Sequence, residues 1–143
     1  MEIQADLVAP CSAGELFSWV DDLERYPRWL EIVPSVAVLD DGAWAVDLRG
    51  KLGPLARTKR LRMVRTELDP PRRAVFERAE LDGRNHSPWR LAAEVEATAE
   101  GARLAMSLHY GGGLFQPVVE RLLREEIERS RQRLLALVTT PSA

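Results

Sequence analysis

The sequence holds a single cysteine, Cys11, so no internal disulfide can staple the chain. The same scarcity removes four-cysteine and cysteine/histidine zinc frameworks, and no metal is expected. Histidine is nearly as rare, with only His86 and His109. An imidazole titrates near neutrality and can serve as a general base. His86, however, falls in the loop-like run Gly83-Arg84-Asn85-His86-Ser87, and His109 alternates against Leu108 and Tyr110, so it faces outward or ends a strand. No HExxH, GxGxxG or phosphate-loop motif is present, and no Ser/His/Asp arrangement has supporting spacing. Gly111-Gly112-Gly113 lacks the lysine and hydroxyl residue of a phosphate loop and reads as a hinge. Catalytic residues therefore stay unassigned, and no cofactor is expected.

Long apolar runs are also missing. None approaches the roughly 20 residues that span a bilayer, so no membrane span is expected. The opening MEIQADLVAP lacks the basic and apolar stretches of a secretory signal, which makes a reducing, cytoplasmic setting the default. Lysine is confined to Lys51 and Lys59, the remaining cations being arginine. The net charge of -2 gives no global field toward nucleic acid, which is not an expected partner.

What the chain does have is an ordinary globular balance, 45% hydrophobic and 29% charged over 143 residues. Folding at that length buries roughly 68–70% of the extended chain's surface, enough for a core without staples. No linker or repeat divides it, so residues 1–143 are expected to be one domain. Ile3, Ala5 and Leu7 alternate with polar neighbours as in a half-buried strand, and Pro10 ends it. Ser12 followed by Glu15 reads as a helix start, with Leu16, Phe17, Trp19 and Val20 as its apolar side. A second short helical turn covers Leu23 to Leu30 across Pro27, anchored by Tyr26, Trp29 and Leu30.

The period then becomes two. Val36–Leu39, Trp44–Leu48, Thr58–Leu68, Ala74–Leu81, Trp89–Glu96 and Leu104–Tyr110 read as strands joined by turns at Asp40-Asp41-Gly42, Asp69-Pro70-Pro71, Asp82-Gly83 and Glu100-Gly101, with a break at Gly50–Pro54. After the glycines one long helix runs from about Phe115 to Val138, with Leu123, Ile127, Leu134 and Leu137 at helical spacing and Pro141 as its stop. Consecutive hairpins imply an antiparallel sheet. The predicted fold is α+β: a seven-stranded curved antiparallel sheet around a long C-terminal helix, with two short helices after strand 1. A flat sheet of that width could not be covered by one helix, so it must curl and leave space.

This pattern resembles the SRPBCC superfamily, the START-like helix-grip fold, and within it the polyketide cyclase/dehydrase and lipid transport proteins. The resemblance spans about residues 2–138. It rests on Ala9-Pro10, Leu16–Val20, Tyr26-Pro27-Arg28-Trp29, Asp69-Pro70-Pro71-Arg72 and Leu108-His109-Tyr110-Gly111-Gly112. It implies a cavity between sheet and helix that binds a small hydrophobic or lipid-like molecule, as a carrier or ligand-binding protein. The alternative is a polyketide aromatase/cyclase-type enzyme acting on a poly-β-ketone chain in the same space. Fold likeness alone does not choose between them. The partner is thus a small apolar molecule, with or without an anionic end, and the protein is expected to be a monomer or weak homodimer.

Strand parity and the helix stripe point Trp44, Trp89, Leu91, Met106, Leu108 and Tyr110 from the sheet, and Leu123 and Ile127 from the helix, into that cavity. Ser130 falls in the middle of the stripe and Glu126 at its edge. A serine there either bonds its own helix carbonyl or orients a polar end of the ligand, with Glu126. The charged strand 58–68 is ambiguous: Lys59 and Arg65 share a face with Leu61 and Met63, whereas Arg60 and Arg62 share one with Val64 and Thr66. With Val64 and Thr66 as guide, Arg62 reaches inside, and Phe76 brings Arg78 with it from the returning strand. An inward guanidinium needs an acceptor. A glutamate would make it a structural pair, and no acceptor would point to an acidic ligand head.

Overall fold

The computed structural model describes residues 1–50, 56–111 and 116–139. The sequence features expected at Lys51–Pro54, Gly112-Gly113, Phe115 and Pro141 lie outside the described residues. Seven strands form one antiparallel sheet: β1 (Glu2–Ala9), β2 (Ser35–Val38), β3 (Trp44–Leu48), β4 (Lys59–Asp69), β5 (Arg73–Arg78), β6 (Trp89–Thr98) and β7 (Gly101–Tyr110). Their spatial order is β1-β7-β6-β5-β4-β3-β2, so the first strand closes against the last and every other neighbour is a hairpin partner. The short helix α1 (Ala13–Ser18) and a 3₁₀ helix (Leu23–Arg28) follow β1, and α2 (Gln116–Thr139), 24 residues long, ends the chain.

Local chemistry sets these elements. Ser12 Oγ accepts the Glu15 N–H at 3.1 Å and starts α1, and Asp22 Oδ1 accepts the Glu24 N–H at 3.0 Å and starts the 3₁₀ helix. The latter stays a 3₁₀ turn because Pro27, lying inside it, has no N–H to continue an α-helical ladder. Tyr26 then fixes the segment from within, its hydroxyl donating to the Val20 carbonyl at 2.9 Å. The Trp29 indole N–H donates to the Trp19 carbonyl at 3.1 Å. Both rings are buried against the concave face, with Tyr26 edge-on to Phe76 and Phe76 edge-on to Trp44 at 5.7 Å. Such contacts contribute beyond the ~1.5–3 kcal/mol of burying each ring.

In β4 a bulge shifts the register between Arg65 and Glu67, so that Arg65 faces Phe76 and Leu68 faces Ala74. The extra residue bends and twists the strand, which is what curling a sheet around a helix requires. It also inverts the alternation partway along: Met63 and Arg65, opposite Arg78 and Phe76, take the concave face before it, and Leu68, opposite Ala74, takes that face after it.

Helix α2 runs alongside the free edge of β1. Arg131 Nε donates to the Asp6 carbonyl at 2.8 Å and Arg124 to the Glu2 carbonyl at 3.5 Å. Two arginines thus occupy acceptors that an open sheet edge would otherwise offer to another chain. On the other flank Arg129 and Arg133 approach Glu31 at 4.0 and 3.9 Å. The buried positions of α2 are Val119, Leu123, Glu126, Ser130, Leu134 and Val138, a stripe rotated slightly from the expected one, with Ile127 and Leu137 half-buried.

Candidate functional site: an apolar cavity

A cavity of about 130 Å³ lies between the concave face of the sheet, the 3₁₀ segment and α2. Every layer contributes to its wall. Ile3, Ala5 and Leu7 come from β1, Leu104, Met106 and Leu108 from β7, and Trp89 and Leu91 from β6. Val46 and Leu48 of β3 and Leu61 and Met63 of β4 extend it, and Leu123, Ile127, Ser130 and Leu134 of α2 roof it. The 3₁₀ segment adds Leu23, Tyr26, Trp29 and Leu30, and the following residues add Ile32 and Val33. The sequence marks Tyr26, Trp29 and Leu30 as anchors of the short turn but gives no sign that they face this space, since a proline-interrupted turn has no period to read.

Of the thirteen candidate residues named from the sequence, Trp89, Leu91, Met106, Leu108, Leu123, Ile127 and Ser130 line the cavity. The other six do not, for distinct reasons. Trp44 and Phe76 are on the concave face but pack on one another, with the Tyr26 ring between Phe76 and the Trp29 ring. Tyr110 sits beside Trp89, ring centroids 4.5 Å apart, and is not part of the wall. Glu126 is buried on α2, where its carboxylate pairs with Arg129. Arg62 takes the opposite face from Leu61 and Met63, where its guanidinium donates to Asp41 Oδ2 and the Ala79 carbonyl, both at 2.6 Å. The misreading comes from Val64: it does share a face with Arg62, but that face is the convex one, and Leu61 and Met63 mark the concave side.

Arg78 does point to the concave face, opposite Met63, and its side chain is only 7% exposed. It finds a glutamate: Nε donates to Glu80 Oε2 at 2.7 Å. Its other nitrogens reach the Ser87 carbonyl and His86 Nδ1, both at 3.3 Å, and His86 Nε2 meets Asp82 Oδ2 at 2.8 Å. Arg78 donating to Nδ1 places the ring proton on Nε2, toward Asp82. The Arg84 amide and then His86 hold the Asp82 carboxyl below the usual carboxylate range. Lys59, at the start of β4 near this group, has its ammonium pushed down by burial and then by Arg78. This chain of paired charges stands at the end of the sheet where β5 leaves and β6 enters. His109 is on the convex face, paired with Glu2 at 2.7 Å.

Polar groups in the wall are mostly satisfied internally. Ser130 Oγ donates to the Glu126 carbonyl of its own helix at 2.7 Å, the first of its two sequence-level readings. Burial, and then the Asp21 charge, raises the Tyr26 hydroxyl far above its ordinary pKa, so it stays a neutral donor to Val20. Arg131 pairs with Glu128 and the Asp6 carbonyl, while the Asp6 carboxylate pairs with Arg103. Among the described residues no group of three metal-ligating side chains comes together, and no helix is long and apolar enough to cross a membrane.

Comparison with known proteins agrees with this geometry. A START superfamily protein from Mycobacterium smegmatis superposes with a TM-score of 0.74 at 16% identity, covering 96% of each chain. The Thermus thermophilus protein TTHA0849 gives 0.73 at 20% identity, covering 97% of this chain and 100% of that one. The di-domain aromatase/cyclase (ARO/CYC) BexL of the BE-7585A biosynthetic pathway gives 0.71 at 14% identity, with 99% of this chain matched to 51% of that one. At these identities the likeness is one of fold, the START-like helix grip of the SRPBCC superfamily. No curated protein matches the chain by sequence. Residues 2–139 match the polyketide cyclase / dehydrase and lipid transport family, and the chain belongs to that family.

Proposed function

We propose that the protein binds a small apolar molecule in the cavity between its sheet and α2, as a carrier or ligand-binding protein working as a single unit. One observation carries the reading: a hydrocarbon-walled space of about 130 Å³ bordered by the buried residues of the core. An apolar cavity of about 150 Å³ stays dry and admits benzene. It is smaller than the ~300–1,000 Å³ of drug-sized pockets, so the fitting ligand is compact or enters by one apolar end. Binding is favoured over a cyclase reaction because the titratable side chains of the wall, Asp6, Tyr26 and Arg131, are each engaged by a protein partner. None is free to move a proton at a substrate. The anionic ligand end is not part of the proposal, because Arg62 and Arg78 are matched by Asp41 and Glu80.

Native mass spectrometry of the purified protein tests this. The expected result is a mass excess of a small organic molecule that is lost on denaturation and regained from added apolar compounds. A protein that retains nothing, and takes up no compound small enough for the cavity, would overturn the reading.

A further inference from the structure

Among the described residues, almost nothing but carbon reaches the surface of the cavity wall. Each polar residue of the wall is kept from it in its own way. Ser130 turns its hydroxyl back to the Glu126 carbonyl of α2, and Tyr26 donates its own to the Val20 carbonyl. Asp6 on β1 and Ser107 on β7 stand between neighbours that face inward, so alternation turns both side chains to the convex face. Arg131 carries its guanidinium out to the Asp6 carbonyl and to Glu128, which leaves its methylene stem for the wall. The Trp89 indole nitrogen meets no acceptor among the described residues, but it is buried and closed off from the space.

Resting on the binding reading above, we propose that the cavity selects hydrocarbon: what it holds is a ring or short chain comparable to benzene or toluene in size, with no hydrogen-bonding group inside. A hydroxyl or carbonyl that enters gives up its bonds to water and finds neither donor nor acceptor in return. A hydrocarbon of the same shape has no such bonds to lose. Ordinary ligand pockets fix orientation with a few placed polar groups, and this one orients its occupant by shape alone. The same wall bears on the cyclase alternative. A poly-β-ketone chain carries a carbonyl on every second carbon, and each one that entered would be stranded.

The experiment uses the full chain and two matched pairs of probes. Toluene is set against phenol, where a methyl becomes a hydroxyl, and methylenecyclohexane against cyclohexanone, where C=CH₂ becomes C=O at nearly the same shape. Affinities are read from the shifts of ¹³C-labelled methyl groups of Leu91, Met106 and Ile127 in the wall, so that surface binding is not counted. Each hydrocarbon should bind at least about tenfold more tightly than its polar twin, the cost of burying one unmatched polar group. Ser130→Ala, which removes the wall hydroxyl of α2, should leave both ratios unchanged. The wild-type ratios stand as a test even if that variant folds poorly. A smaller gap in either pair overturns hydrocarbon selection. A gap that widens in Ser130→Ala, with the polar twin alone losing affinity, shows Ser130 serving the ligand and overturns it as well. If neither hydrocarbon moves these methyl groups, the cavity reading itself falls, and this inference with it.

Discussion

Replacing Ala5 by leucine should stabilise this protein, against the usual sign of enlarging a core residue. Ala5 lies on β1 between the buried Ile3 and Leu7, opposite Met106, and is part of the cavity wall. Three added carbons at about 0.8 kcal/mol each would contribute about 2.4 kcal/mol if they enter the void. Ordering the leucine side chain costs about 0.5–1 kcal/mol. The net is about 1.5 kcal/mol, or about 5 °C in Tm for a chain of this length. Ala93 on β6 supplies the contrast: it is fully buried and borders no cavity, so Ala93→Leu overpacks and should cost about 1–3 kcal/mol. Calorimetric scans of both variants, with and without saturating toluene, read the difference. Toluene should raise the wild-type Tm by mass action and leave Ala5→Leu nearly unchanged. Equal destabilisation by the two substitutions, or an undiminished toluene response in Ala5→Leu, would refute the claim that usable space lies beside Ala5.

Other consequences follow from the charges and the close packing. Glu80→Gln strands the Arg78 guanidinium in its buried site and should cost about 3 kcal/mol in urea melts, most of it recovered by adding Arg78→Met; a loss under about 1 kcal/mol would show that the pair is not effectively buried. Gly111→Ala would place a Cβ 2.7 Å from the Pro88 ring, so it should lower stability by about 1–3 kcal/mol and be relieved by Pro88→Ala; an unaffected Tm would contradict that contact. Hydrogen bonds from Arg62 and Arg60 hold the Asp41 and Asp47 carboxyls below their ordinary values in the folded protein. Their contribution is therefore complete above the unfolded pKa of about 3.9 and lost as pH falls through the lower folded values. The acid side of a stability–pH curve should flatten in Asp41→Asn/Asp47→Asn, and an unchanged acid limb would count against those pairs.

The sheet and the long helix were legible because each has a sustained period. Ile3, Ala5 and Leu7 on β1 and Leu104, Met106 and Leu108 on β7 alternate without interruption, and the two strands pair with these residues in register. Parity misleads in β4 at Arg62, where the apolar Val64 stands on the convex face and Leu61 and Met63 on the concave one; with apolar residues on both faces of a strand, alternation alone does not say which is inner. The side of the cavity built by Leu23, Tyr26, Trp29 and Leu30 was illegible for a related reason, since their inward placement comes from tertiary hydrogen bonds such as Tyr26 to Val20. Trp44 and Tyr110 show a further limit. Alternation says which face a ring takes, but whether it borders empty space depends on its neighbours, here Phe76 and Trp89.

The central claim is that the space under α2 accepts an apolar molecule. Intermolecular nuclear Overhauser effects between toluene ring protons and ¹³C-labelled methyl groups test it most directly. The account predicts contacts to Leu91, Met106, Ile127 and Leu134, which face one another across the cavity, and none to the exposed Leu81 and Val118. Contacts confined to Leu81, Val118 or other surface methyl groups, with the interior methyl groups silent at saturation, would contradict it.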